Sequence, residues 1–346
     1  MNATNSSILE NVVDFCRSVT VENMCGQPVW EEIVLAVNII AIVVNILHYI
    51  TLQVARKTSE VSQANNSAWQ KLLNQFAITD AACGFSGLMR ACIFRRLVYG
   101  KSLRLGAVIT FLSDISVGVR YYVLALACYD RCVAIRWPFR YSRDILIVRI
   151  NTVCAIFWFW SAATIIVRDI LFLEEICIND FVGVTNLYTE NLLATAISFT
   201  VITPPALVII VLTVTLLIEL HKMRIAGASQ TTGMLQIQQR RMQRITNKAT
   251  FYTAVNSIIF IACLMPLIIT SCLVAATDIL ADMSVNSYNN VLYSGILLTF
   301  MFGILNTVLY GWLNKRYRVA FVTLITAGKF NKNRVTGAAT VGQGQQ

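Results

Sequence analysis

The sequence predicts an all-α membrane protein, a seven-transmembrane helix bundle followed by a short amphipathic eighth helix. Three observations carry that prediction. Of 346 residues, 56% are apolar and only 13% are charged, about half the charge fraction of an ordinary soluble domain. The apolar residues gather into seven long runs, each long enough to cross a bilayer core as a helix. Threading those runs through a membrane leaves most of the basic residues on one side.

The first run, Ile33–Ala55, has 23 uncharged residues. The second, Leu72–Met89, is interrupted by Asp80, and the third, Leu105–Tyr129, by Asp114 and Arg120. These two are the weakest by hydropathy. Ile150–Val167, Asn191–Ile218, Ala249–Thr277 and Met283–Asn314 carry no charge. All seven are continuously apolar and do not alternate, which favours helices over barrel strands.

The chain divides into an extracellular N-terminal tail (1–32), the helix bundle (33–312) and a cytoplasmic amphipathic helix with a disordered tail (313–346). Residues 1–29 hold no apolar run of the signal-peptide kind, so the first span is expected to act as its own insertion signal. Two glycosylation sequons, at Asn2 and Asn5, fit an outward N-terminus. With that orientation, the proposed inner segments hold 20 lysines and arginines and the outer ones six. The bias supports that orientation, and the expected location is the plasma membrane, which the chain crosses several times. The same bias accounts for the net charge of +10 without nucleic acid as a partner. The exception is the first outer loop, with Arg95, Arg96, Lys101 and Arg104. After the last span, Lys315–Thr326 mixes basic residues with Val319, Phe321, Val322 and Ile325, the pattern of a helix lying on membrane lipid.

Several function classes fall away. The only histidines are His48 and His221, and the ten cysteines form no CxxC pair, so neither metal nor cofactor is expected. No nucleophile–base set marks an enzyme. A transporter would show internal repeats or broken helices, and none is apparent. A channel or transporter remains the distant alternative.

The third run ends in Cys128-Tyr129-Asp130-Arg131-Cys132-Val133-Ala134-Ile135-Arg136-Trp137-Pro138-Phe139-Arg140-Tyr141. This resembles the DRY-type signature of rhodopsin-like G-protein-coupled receptors. It is most similar to the odorant-receptor form, in which Tyr precedes Asp-Arg and Pro-x-Arg-Tyr follows. Cys132 stands where the signature has its tyrosine. Asn306-Thr307-Val308-Leu309-Tyr310 resembles the NPxxY motif, with Thr307 in place of proline. Cys263-Leu264-Met265-Pro266 resembles CWxP, with Leu264 in place of tryptophan. Asn45, Asp80, Trp158 and the Pro204-Pro205 pair are similar to the family's marks on the first, second, fourth and fifth helices. Lys248–Ala254 faintly resembles the odorant-receptor KAFSTC run. The seventh run has no lysine, which disfavours an opsin.

The resemblance implies a receptor that binds a small extracellular ligand, an odorant-like chemical, and activates a heterotrimeric G protein. It implies that Asp130 and Arg131 hold the inner end shut, with Leu264, Pro266, Asn306 and Tyr310 as switch positions. It places the ligand pocket among Phe111, Ser113, Asp114, Val117, Phe199, Thr203, Met265 and Tyr293. Ser113 lies 18 residues before Arg131, five turns and therefore the same face. Asp114 is rotated about 100° from it. It either serves as the counterion of an amine ligand, the alternative reading within the family, or pairs with another helix or an outer arginine. The family's third-helix cysteine is missing, since Gly106 sits near its place. Cys16, Cys25, Cys92 and Cys177 can reach the oxidising side. Cys92–Cys177 with Cys16–Cys25 is the expected pairing among the three that four cysteines allow.

Arg120 precedes Arg131 by 11 residues, about three turns, so it points into the bundle at the depth of Asp80. An unpaired arginine at mid-membrane costs about 2.5 kcal/mol or more. Asp80 is its expected partner. The rivals are Asp114 and an outward, snorkelling side chain. In many of the receptors that the chain resembles, the matching aspartate takes a sodium ion, and here the guanidinium would occupy that place.

Overall fold

In the computed structural model, which describes residues 28–57, 68–96, 103–137, 141, 144, 148–171, 192–227, 248–266 and 285–326, the apolar runs form helices, several of which outlast them. The helices are α1 (Pro28–Lys57), α2 (Ala68–Arg96), α3 (Leu103–Arg136), α4 (Ile150–Leu171), α5 (Leu192–Gly227), α6 (Lys248–Pro266), α7 (Val285–Leu313) and α8 (Lys315–Ile325). The part of the sixth run beyond Pro266 lies outside the described residues.

Helix ends differ from run ends for a physical reason. An apolar run measures the bilayer core, whereas lysine and arginine are good helix formers. α2 therefore continues past Met89 through Arg90, Arg95 and Arg96, and α3 past Tyr129 to Arg136, just before Pro138. α5 runs on to Gly227, and it passes through Pro204 and Pro205 without ending. Between α7 and α8, the Asn314 side chain accepts a hydrogen bond from the backbone N–H of Tyr317 at 3.2 Å, an N-cap for α8. The chain turns by 107° between Leu297–Leu313 and Tyr317–Ile325.

Polarity is inverted relative to a soluble protein. Ile39, Val43, Phe159, Trp160, Leu207, Val211, Val308 and Trp312 are exposed, while Asn45, Asp80, Arg120, Asp130 and Asn306 are buried. An apolar exterior of this extent suits lipid. α3 is the most enclosed span and α1 and α4 the least. α3 packs on α2, α4 and α5, while α1 packs on α2 and α7, and α8 on α1 and α7. The main core gathers around α3, with Phe76, Val123, Leu124, Ile209, Phe260, Leu264 and Phe302. A second cluster joins Leu52, Leu73, Tyr252, Leu309 and Tyr317.

By length and apolarity alone, five of the described helices can cross a membrane, or six if α7 and α8 count as one bent element. The seven runs of the sequence are thus not matched one for one. α2 is the clearest departure, because it carries Lys71, Asp80, Arg90, Arg95 and Arg96. Contacts with α1, α3 and α7 enclose Leu72, Phe76, Asp80 and Cys83. A helix surrounded by other helices needs less apolar surface than one facing lipid.

Candidate functional site

The C-terminal end of α3 is organised around Arg131. Its Nε donates to Asp130 Oδ2 at 2.8 Å, and its Nη2 reaches the same oxygen. Tyr141, from the segment after α3, donates its hydroxyl to Asp130 Oδ1 at 2.8 Å and accepts from Arg131 Nη2 at 3.3 Å. Burial, then the charge of Asp130, pushes the Tyr141 phenol up, so it keeps its proton and can donate. The Arg131 guanidinium also lies over the Trp69 ring of α2, 4.9 Å from its centroid, within cation–π range. One residue before Asp130, the Tyr129 hydroxyl donates to Asp144 at 2.7 Å.

Near the middle of their helices, Arg120 of α3 and Asp80 of α2 come together, with Nε 2.7 Å from Oδ1. That contact has the distance of an ion pair without the alignment of a hydrogen bond. The other carboxylate oxygen accepts from Asn306 Nδ2 at 3.0 Å, and Arg120 Nη1 donates to the Thr299 carbonyl at 2.8 Å. The guanidinium lies 5.5 Å from the Phe302 ring centroid. Asn306 in turn accepts from the Tyr252 hydroxyl of α6. One network therefore joins α2, α3, α6 and α7. Gly303 makes room for it, because a Cβ there would meet Asn45 Nδ2 at 3.1 Å and Asp80 Cβ at 3.2 Å.

Tyr310 lies one turn beyond Asn306. Its ring meets Tyr252, Tyr317 and His48 edge-on at 5.4, 5.2 and 5.6 Å. His48 Nδ1 shares a 2.8 Å hydrogen bond with the Tyr317 hydroxyl, tying α8 to α1.

In the N-terminal part of α3, Asp114 accepts from Arg168 Nη2 of α4 at 2.8 Å. Of the two readings for this aspartate, the structure displays the one with an arginine partner. Ser113 is buried, and Phe111 and Val117 pack against the main core. Leu264 belongs to that core, while Pro266 is half-buried. Thr203 and Met265 are exposed. Phe199 lies in α5 and Tyr293 in α7, with side chains outside the described residues. Cys92 lies in α2, its side chain likewise undescribed. Cys16, Cys25, Cys177, Asn2 and Asn5 lie outside the described residues. Among the described residues, no cluster of ligands fit for a metal occurs.

Sequence reasoning missed Trp69, Tyr252 and Thr299 as site members, and it reached Arg168 only as one outer arginine among several. Tyr141 was visible as the last residue of the Pro-x-Arg-Tyr run. Thr299 acts through its backbone carbonyl and so leaves no side-chain signal. Trp69 and Tyr252 are aromatic residues among many, and only the packing selects them.

Residues 70–310 match the model of the 7 transmembrane receptor (rhodopsin family). That is most of the chain, and the chain belongs to this family, one of receptors and not of enzymes. No curated protein matches it significantly.

Proposed function

We propose that the protein is a seven-span receptor of the plasma membrane, with its N-terminus outside and α8 on the inner leaflet. In this reading it binds a small extracellular ligand and activates a heterotrimeric G protein. The observation that carries the reading is the restraint on Arg131. Its guanidinium is engaged by Asp130, Tyr141 and Trp69, and its release would present a charged donor at the inner face. The test is agonist-free and ligand-driven nucleotide exchange, with surface expression as control. Arg131→Ala should abolish exchange while the receptor still reaches the surface, and undiminished exchange would refute the assignment.

An odorant-like ligand is the class we favour. The Tyr-Asp-Arg and Pro-x-Arg-Tyr pattern supports it, and so does the pairing of Asp114 with Arg168. A carboxylate already neutralised within the bundle offers an amine less than a bare one. On this reading Ser113, Phe111 and Val117 line the inner edge of the pocket. Asn2 and Asn5 carry glycans, and Cys92–Cys177 and Cys16–Cys25 form disulfides. Non-reducing peptide mapping checks the last point, and a Cys25–Cys177 bridge would overturn it.

A further inference from the structure

Asp130 and Arg131 are neighbours on one helix, so their ion pair alone cannot sense where the other helices lie. It survives any rigid movement of α6. A restraint that responds to α6 needs a group outside α3. Among the described contacts of the Arg131 guanidinium, Tyr141 comes from the segment after α3 and Trp69 comes from α2. The Trp69 ring, with Arg131 over it at 4.9 Å, also meets the Tyr252 ring of α6 edge-on at 5.6 Å. Tyr252 is held by its hydroxyl to Asn306 of α7, and Asn306 donates to Asp80, the partner of Arg120. The contacts form a closed circuit. It runs from Arg131 through Trp69, Tyr252, Asn306 and Asp80 to Arg120, and so back to α3.

We infer that Trp69 is a positioning residue that holds Arg131 in its closed place and makes its release depend on α6 through Tyr252. The chemistry is that of a cation over an electron-rich ring, worth more where water is scarce. Loss of the Tyr252 edge lets the tryptophan ring turn, and a turned ring no longer presents its face to the guanidinium. The inference rests on the reading of Arg131 as the coupling residue, so its test uses a readout that needs no G protein.

The experiment places spin labels at Arg136 and Lys248, exposed residues at the ends of α3 and α6, in receptor held in lipid nanodiscs. Tryptophans carrying one, two and three fluorines replace Trp69. Fluorine withdraws density from the ring face with little change of shape, which protects folding. The long-distance population should grow stepwise with fluorination, and Trp69→Leu should raise the open-to-closed ratio roughly two- to fivefold. In an Arg131→Met background the series should be flat. A flat series with Arg131 present, or the same gradient without it, would overturn the inference. A gradient in distance with no exchange from any G protein supports the restraint and removes only the coupling reading.

Discussion

Arg120 and Asp80 bring opposite charges to 2.7 Å with side chains no more than 2% exposed, one on α3 and the other on α2. Neither charge can be removed alone without stranding the other. Breaking a buried pair costs about 3–5 kcal/mol, because an uncompensated charge remains. Asp80→Asn and Arg120→Met should each lower the thermal stability of purified receptor by an amount in that range. The double variant should lose less than the sum, with a coupling of about 0.5–3 kcal/mol. Additive losses would show that the two side chains do not support one another.

The same pair predicts indifference to sodium. One Asp80 oxygen faces the Arg120 guanidinium, and the other accepts from Asn306. A carboxylate so occupied gains little from a mobile cation. Melting temperature and basal nucleotide exchange should therefore be the same in sodium and in choline chloride at equal ionic strength. Arg120→Met should restore a sodium response by baring Asp80. A sodium effect on the unaltered receptor would remove the tethered-cation idea.

Gly87 lies where α2 approaches α1 and α7 closely. A Cβ there would lie 2.4 Å from Asn38 Oδ1 on α1 and 2.6 Å from Phe300 Cζ on α7. The buried Asn38 side chain is itself anchored to the Val34 carbonyl at 2.9 Å, so it has little freedom to withdraw. Gly87→Ala should cost about 1–3 kcal/mol by overpacking, read as a lower melting temperature. Gly311→Ala is the control, since a Cβ there would meet only the edge of Tyr317 at 3.3 Å and 3.6 Å. If both variants melt together, the α1–α2–α7 contact is looser than its distances state.

Much of this architecture was legible because a membrane makes sequence speak plainly. Helix positions follow from charge-free runs, and the approach of Arg120 to Asp80 follows from an 11-residue spacing and the cost of a bare charge. α2 was harder to read, since its charges lower its hydropathy while its neighbours supply the enclosure. The pocket was harder still. Thr203 and Met265 were placed by resemblance alone, which fixes depth along a helix better than rotation about it. Trp69 carried no signal at all. A cation–π contact between α2 and α3 arises from how two helices cross, and no spacing within either helix encodes that crossing.

Asp114 and Arg168 supply the last prediction. Arg168 is fully buried in the last turn of α4, and its Nη2 donates to Asp114 at 2.8 Å. If Asp114 were an amine counterion, a cationic ligand would have to displace a tethered guanidinium that has already paid its orientational cost. The odorant-like reading requires no such exchange. Asp114→Asn should therefore leave responses to uncharged ligands within a few-fold of the unaltered receptor, provided surface expression is matched. It should also reduce thermal stability, because Arg168 loses a charged acceptor. Arg168→Gln makes the complementary test, since it bares Asp114 inside the bundle. That variant should gain sensitivity to small amines that the unaltered receptor lacks. An unaltered receptor that responds to amines, and loses that response with Asp114→Asn, would instead establish the counterion role.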